Sequence, residues 1–358
     1  MSTFPRAYPM SGGDDQHSYI NNSSYQIAAI NSVGEKTRQC IIEKLDLPLN
    51  SDLGTFCIAD YGCSIGPNTF QVVQSIIDAV KFKQLEDNNE KSLIPLEFQV
   101  FFNDQPNNDF NTLFKTQPPS SEREYFSAGV PGSFHGQVLP RNTVHIGHTS
   151  YTTHWLSNVP QHVDDKNSPA WNKNYIQCNN SIEEVTKSYK VQFTKDMKFF
   201  LEARAEEIVP GGLMIVLGQC LPDGVPLFKT CQGILVDTIG DCLMDMAKSG
   251  LTSEETIGLF TLPAYFPQFS ELKTEIEHNR SFTIEIMESV RHPLEDIPLS
   301  NDFLISMFRA ILSTIIKEHF GDVIDELFDR VAKKLAKYPI DFNECEKFVT
   351  YFILLKRK

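Results

Sequence analysis

Two aspartates, each closing an apolar run, are the residues whose type and spacing carry the clearest chemistry. Asp60 follows Phe56 to Ala59 and leads into Gly62, Gly66 and Asn68, while Asp104 closes the run LEFQVFFND. A carboxylate at a strand end can accept from both hydroxyls of a ribose, and a glycine turn before a helix lets a ligand approach the helix N-terminus. The turn reads GxxxG, with no following lysine, so it is neither the GxGxxG dinucleotide fingerprint nor a phosphate-binding loop. The pattern points to a nucleoside-like ligand without a pyrophosphate. For Asp60 the competing reading is a cap on the turn that follows it.

His135, His145, His148, His154 and His162 fall within one short region. On a strand, His145 and His148 project to opposite faces and cannot share an ion, so structural or surface roles are expected rather than a metal. His154, just past a strand and beside Trp155, stands between a substrate contact and a packing residue. Taken alone, Trp155 reads as a core residue with a partnered indole.

The elements that must position these groups alternate. Ser24 to Leu45 has the spacing of a first helix, with Pro48 beyond it. A strand from about Thr55 to Ala59 precedes a helix from Pro67 to about Phe82, Pro67 suiting a first helical turn. After the polar EDNNEK loop come a strand from Leu96 to Asp104 and the surface loop KTQPPSSERE. FSAGVPGSF contains a Pro131-Gly132 turn, and a strand runs from Asn142 to Tyr151. A helix from Ser181 to Glu207 is closed by VPGG, after which LMIVLG is a buried strand. Alternation of this kind predicts an α/β fold whose mostly parallel sheet is covered on both faces.

The later half is helical in pattern from Val236 to Lys248 and from Asn301 to Lys337, with HPLEDIPLS as a flexible connection. KFVTYFILLKR returns to strand-like density. The whole chain, 1–358, is expected to be one unit, with a core mainly over 27–220 plus a strand at 346–356. A helical cap mainly over 221–340 and an N-terminal lid over 8–26 complete it.

Composition bounds the partners. With 358 residues, 41% hydrophobic and 22% charged, the chain can bury a large core. A net charge of -14 disfavours nucleic acid and anionic membrane surfaces, and the C-terminal KRK is too short to reverse that. Eight cysteines without a CxxC pair read as reduced thiols in a cytoplasmic protein. No signal peptide or membrane-spanning run is recognised.

Five collinear segments resemble the plant SABATH family of S-adenosylmethionine-dependent methyltransferases: MSGGDDQHSYINNSSYQ, IADYGCSIGPNTF, FFNDQPNNDFNTLF, GVPGSFHGQVLPRNTVHIGHTSYTTHWLSNVP and RAEEIVPGGLMIVLG. The resemblance runs from about Met10 to the C-terminus and implies a Rossmann-like methyltransferase core with a helical cap over the active site. It implies that Tyr19, Ser23, Asp60, Gly62, Asn68, Asp104, Gln105, Ser133 and Phe134 surround S-adenosylmethionine, with Asp104 on the ribose and Ser133 and Phe134 at the adenine. Gln26 and Trp155 match the pair that grips the acceptor carboxylate, and Tyr19 touches both ligands. Tyr151, His154, Leu235, Val236, Phe308 and Phe348 match pocket positions.

The same resemblance implies a homodimer acting on a small, largely apolar carboxylic acid to give its methyl ester. The alternatives are N-methylation of a xanthine-like ring and a catalytically inactive member that only binds a small molecule. Three positions depart from the family pattern. GLFT at Gly258 to Thr261 replaces D-x-F-N, leaving only Asn172 and the Phe260 backbone of a magnesium site. Gln105 replaces an apolar residue near the adenosine, and Val236 stands where salicylate-type members place a tryptophan, which widens the pocket.

Methyl transfer to a carboxylic acid needs no base. An acid with a pKa of about 4 is already ionised at neutral pH, so alignment is the task, worth about 7–11 kcal/mol. Neutral donors around the carboxylate are therefore expected, because lysine or arginine would hold the anion and dull it.

Overall fold

A computed structural model describes residues 8–47, 54–87, 96–173, 175–295 and 299–358. Its strands are β1 Thr55–Tyr61, β2 Glu97–Asp104, β3 Phe126–Pro131, β4 Val144–Ser150, β5 Ile208–Cys220, β6 Phe282–Val290 and β7 Val349–Arg357. They form one sheet in the order β3-β2-β1-β4-β5-β7-β6. The pairs from β3 through β5 are parallel, and β7 runs antiparallel between β5 and β6. The mostly parallel sheet expected from the alternation is present.

Its central strands are apolar at consecutive positions because both faces are covered. Ile58 turns to one core with Val73 and Ile76, while Ala59 and Tyr61 turn to the other with Phe193 and Phe200. The helices supplying those layers are α1 Ser24–Ser32, α2 Gly34–Lys44, α3 Pro67–Asp87, α4 Phe110–Thr116 and α5 Glu183–Glu207. Beyond β5 come α6 Cys231–Lys248, α7 Glu254–Gly258, α8 Phe269–His278, α9 Asn301–Phe320 and α10 Ile324–Lys337. No helix among the described residues is long and apolar enough to cross a membrane.

Several elements differ from their sequence-based expectation. The first helix is two, broken at Val33, where the backbone leaves helical geometry before Gly34. VPGG does not close α5 but lies inside β5. Gly211 there adopts φ +81, and the register against β4 shifts between Val144 and Ile146, so the apparent turn signal is a bulge. FSAGVP is the edge strand β3, with Pro131 at its end where no ladder donor is needed. The stretch 282–290, inside the segment expected to be mainly helical, is edge strand β6, whose FTIEIMESV alternates in character. In the HPLEDIPLS connection His292 is buried and stacks on Tyr25 at 3.8 Å; residues 296–298 lie outside the described residues. So do Pro48 and most of the EDNNEK loop.

One buried ion pair ties the sheet's far side to the loop after β3. Arg204 and Glu207, both fully buried on α5, pair at 2.9 Å. Arg204 also donates to Phe134 O at 2.7 Å and Gly136 O at 2.9 Å, while Glu207 accepts from Tyr61 OH at 2.6 Å and the Leu139 N–H at 2.9 Å. Every lone pair and proton so used offsets the desolvation of the two charges.

Candidate active site

β1 ends by bending at Gly62, whose φ of +81 only glycine adopts without strain. A Cβ there would overlap the Thr152 side chain, so the turn also demands glycine for space. The bend opens a cavity at the carboxyl ends of β1 and β4, walled by Tyr19, Gln26, Asp60, Gly62, Asn68 and His148 among others. This is where open α/β sheets bind ligands.

Asp60 is buried in that wall, with Oδ1 2.8 Å from His148 Nδ1 and Oδ2 accepting from the Thr69 hydroxyl in the first turn of α3. It therefore serves as a helix anchor and as part of the cavity. Asp104, at the end of β2, accepts from the Ser64 N–H at 2.7 Å and from the Gln105 N–H at 2.7 Å. Burial nonetheless raises its carboxyl to about 6, the two backbone donors and the nearby Asp60 having smaller effects. Asn68 donates to Ser23 Oγ at 3.1 Å, fastening the N-terminal segment onto α3.

A second cavity adjoins the first, and Tyr19 and Gln26 line both. Its wall includes Tyr151, His154, Trp155, Val236, Phe308 and Phe348, all predicted pocket positions. Among the described residues, no Lys, Arg, Asp or Glu lines it. Burial lowers the His154 imidazole to about 4, so it is neutral near pH 7, and its ring stacks on Phe266 at 4.7 Å. His154 is thus both a packing residue and a wall residue. Gln26 Oε1 is buried without a hydrogen-bond partner among the described residues, and the residue lines both cavities. The indole N–H of half-buried Trp155 has no described partner either.

The family model for "SAM dependent carboxyl methyltransferase" matches residues 5–358. The chain belongs to this family, the SABATH methyltransferases. A probable S-adenosylmethionine-dependent methyltransferase of Arabidopsis thaliana is 73% identical, with 100% of each chain covered. The farnesoic acid carboxyl-O-methyltransferase of Arabidopsis thaliana is 42% identical over 98% of this chain and 99% of that one. The solved structure of a loganic acid methyltransferase with SAH superposes with a TM-score of 0.90 at 42% identity, covering 98% of this chain and 99% of that chain. The protein is an S-adenosylmethionine-dependent O-methyltransferase with a methyltransferase fold.

At the smaller cavity this methyltransferase offers that cofactor the left-handed Gly62 turn and the Asp60 carboxylate, while Asp104, on the neighbouring strand, and Ser23 line neither cavity. Magnesium does not fit. The Asn172 Nδ2 donates to Tyr175 O at 2.7 Å, Gln177 O at 3.0 Å and Thr261 Oγ1 at 3.2 Å, a neutral network without a carboxylate. Phe260 packs its ring on Phe320 at 4.9 Å, and no cluster of three or more His, Cys, Asp or Glu side chains occurs among the described residues. His145 and His148 do project oppositely: His145 Nδ1 accepts from the Cys57 N–H at 2.9 Å, far from the Asp60 partner of His148.

Some predicted positions fall elsewhere in the methyltransferase. Leu235 is fully buried in the core and does not line the cavity, because its neighbour Val236 takes the cavity-facing direction and successive helical residues diverge by about 100°. Phe134 is buried against Phe200 at 6.0 Å, its loop held by Arg204, and neither it nor Ser133 lines the two cavities. The backbone of that loop still sits beside Asp104, whose carbonyl accepts from the Gly132 N–H at 2.9 Å. Gln105 is half-buried and contributes its N–H to Asp104. The wall also contains residues the sequence did not single out, including Met10, Tyr25, Gln177, Gln219, Gln232 and Met307. Polar residues with ordinary spacing gave no signal for them.

Proposed function

We propose that the larger cavity holds a small, largely apolar carboxylic acid and that the protein converts it to its methyl ester without a general base. The observation that carries this reading is the absence of any charged side chain from the cavity wall among the described residues, combined with Gln26 and Trp155, two neutral wall residues able to donate whose side chains make no hydrogen bond among those residues. The named acids of the 42%-identical relatives, farnesoic and loganic, support the substrate class.

When bound, S-adenosylmethionine supplies an electrophilic methyl carbon on a sulfonium. Tyr19 and Gln26, common to both cavities, border the meeting point of nucleophile and methyl group. Gln26 Nε2 and the Trp155 indole orient the carboxylate without neutralising it, so an oxygen lone pair stays available for in-line attack. Apolar walls at Val236, Phe308 and Phe348 keep water from the anion, which favours mutual neutralisation of the charges. His154, neutral near pH 7, withdraws no electron density by carrying a proton. The protein is proposed to act as a homodimer, which light scattering of the purified protein tests.

The test is incubation with methyl-labelled cofactor and aromatic, terpenoid and fatty acids alongside xanthines. Methyl esters are the expected products. N-methylated xanthine as the sole product, or S-adenosylhomocysteine binding with no transfer to any acid, would overturn the reading.

A further inference from the structure

A third hollow lies beyond the acceptor cavity between the start of α6, the segment around His292 and residues 339–348. Its wall meets that of the acceptor cavity at three side chains, Tyr25, Gln232 and Phe348. Two of them are pinned. Tyr25 accepts from Gln219 Nε2 at 2.6 Å and stacks on His292 at 3.8 Å, and Phe348 meets Phe266 edge-on at 4.8 Å. Gln232, half-buried in the first turn of α6, has no hydrogen-bond partner among the described residues. Of the partition, it is the side chain whose displacement breaks the fewest interactions.

The outer hollow differs chemically from the inner one. Glu295, Asp341, Glu346 and Lys347 line it, and the Lys347 ammonium already donates to Glu295 O at 2.8 Å. Among the described residues, three carboxylates beside one engaged cation offer acceptors to hydroxyl groups and repel a second anion.

We propose that Gln232 determines acceptor length, gating a passage through which the tail of an elongated acid reaches the outer hollow, where the carboxylates accept from an uncharged hydroxyl at its far end. This rests on the proposed role of the inner cavity as the carboxylate site. It selects ω-hydroxy acids over dicarboxylic acids of equal length.

The experiment compares ω-hydroxyhexanoic, ω-hydroxydodecanoic and dodecanedioic acids in the wild type, Gln232→Trp, Gln232→Leu and Gln232→Ala. The long-to-short ratio of kcat/KM should fall about tenfold or more in Gln232→Trp and rise in Gln232→Ala, and the wild type should prefer the hydroxy acid to the diacid. Folding of each variant is checked by thermal shift with S-adenosylhomocysteine, and Gln232→Leu preserves size should the tryptophan disturb α6. An unchanged ratio in the folded variants, or equal use of diacid and hydroxy acid, overturns the inference while methyl transfer to the short acid keeps the functional reading intact. If no acid is methylated, that reading falls. Dissociation constants of the same acids, measured by calorimetry with S-adenosylhomocysteine present, then decide the gate by the same ratio.

Discussion

Replacing Gln26 by leucine should move activity and stability in opposite directions. The side chain is buried, with Oε1 unpartnered, and it borders both cavities. Its Nε2 is proposed to donate to the substrate carboxylate, and a hydrogen bond to a charged group contributes about 1.5–3 kcal/mol. At about 1.36 kcal/mol per factor of ten, kcat/KM for the acid should fall about 10- to 150-fold. An unpartnered buried polar atom costs about 1–3 kcal/mol, and leucine of similar shape removes that cost. With about 2.1 cal/mol/K per residue of unfolding entropy over 358 residues, the Tm of the free protein should rise by about 1–4 °C. Steady-state methylation kinetics and calorimetric melting of the same preparation read both effects. A fall in Tm with unchanged kcat/KM would refute the reasoning, because it would make Gln26 a structural donor and not a substrate contact.

Gly62→Ala should lower both Tm and S-adenosylhomocysteine affinity, since a Cβ at φ +81 overlaps Thr152; strain of this kind costs about 1–3 kcal/mol before the clash is counted, and denaturant melts measure it. Asp104, raised to about 6 by burial, contributes stability that is complete below the ordinary carboxyl pKa of about 3.9 and is lost as pH rises through about 6. Asp104 is proposed to accept from the ribose, for which the ionised form is the better acceptor, so the Tm gain from S-adenosylhomocysteine should grow between about pH 5 and 7, and Asp104→Asn should flatten that dependence. Arg204→Met should destabilise the protein by about 3–5 kcal/mol in urea unfolding, because Glu207 is left charged and fully buried; near-wild-type stability would show that the pair is dispensable.

The glycine turn, its two flanking carboxylates and the alternation around them were legible because each is a local pattern. A strand ends, a positive φ is needed and a helix begins within thirteen residues of chain, Ile58 to Phe70. The bulge at Gly211 and the edge strands β3 and β6 were not legible, because turn residues inside a strand look like a boundary and an edge strand lacks the apolar density of a central one.

What the sequence determined by itself was the chemistry on offer: acids at strand ends, a glycine turn between them, and family membership along the chain, with the amide and indole proposed for an anion suggested by that membership. Tertiary structure alone decided which neighbours face the cavity. It turned Val236 inward and Leu235 into the core, committed Gln219 and Gln177 to structural bonds, and left Gln26 and Gln232 without hydrogen-bond partners among the described residues. Those choices depend on contacts between elements as distant as positions 25 and 292, and no period along the chain encodes the geometry of such pairs.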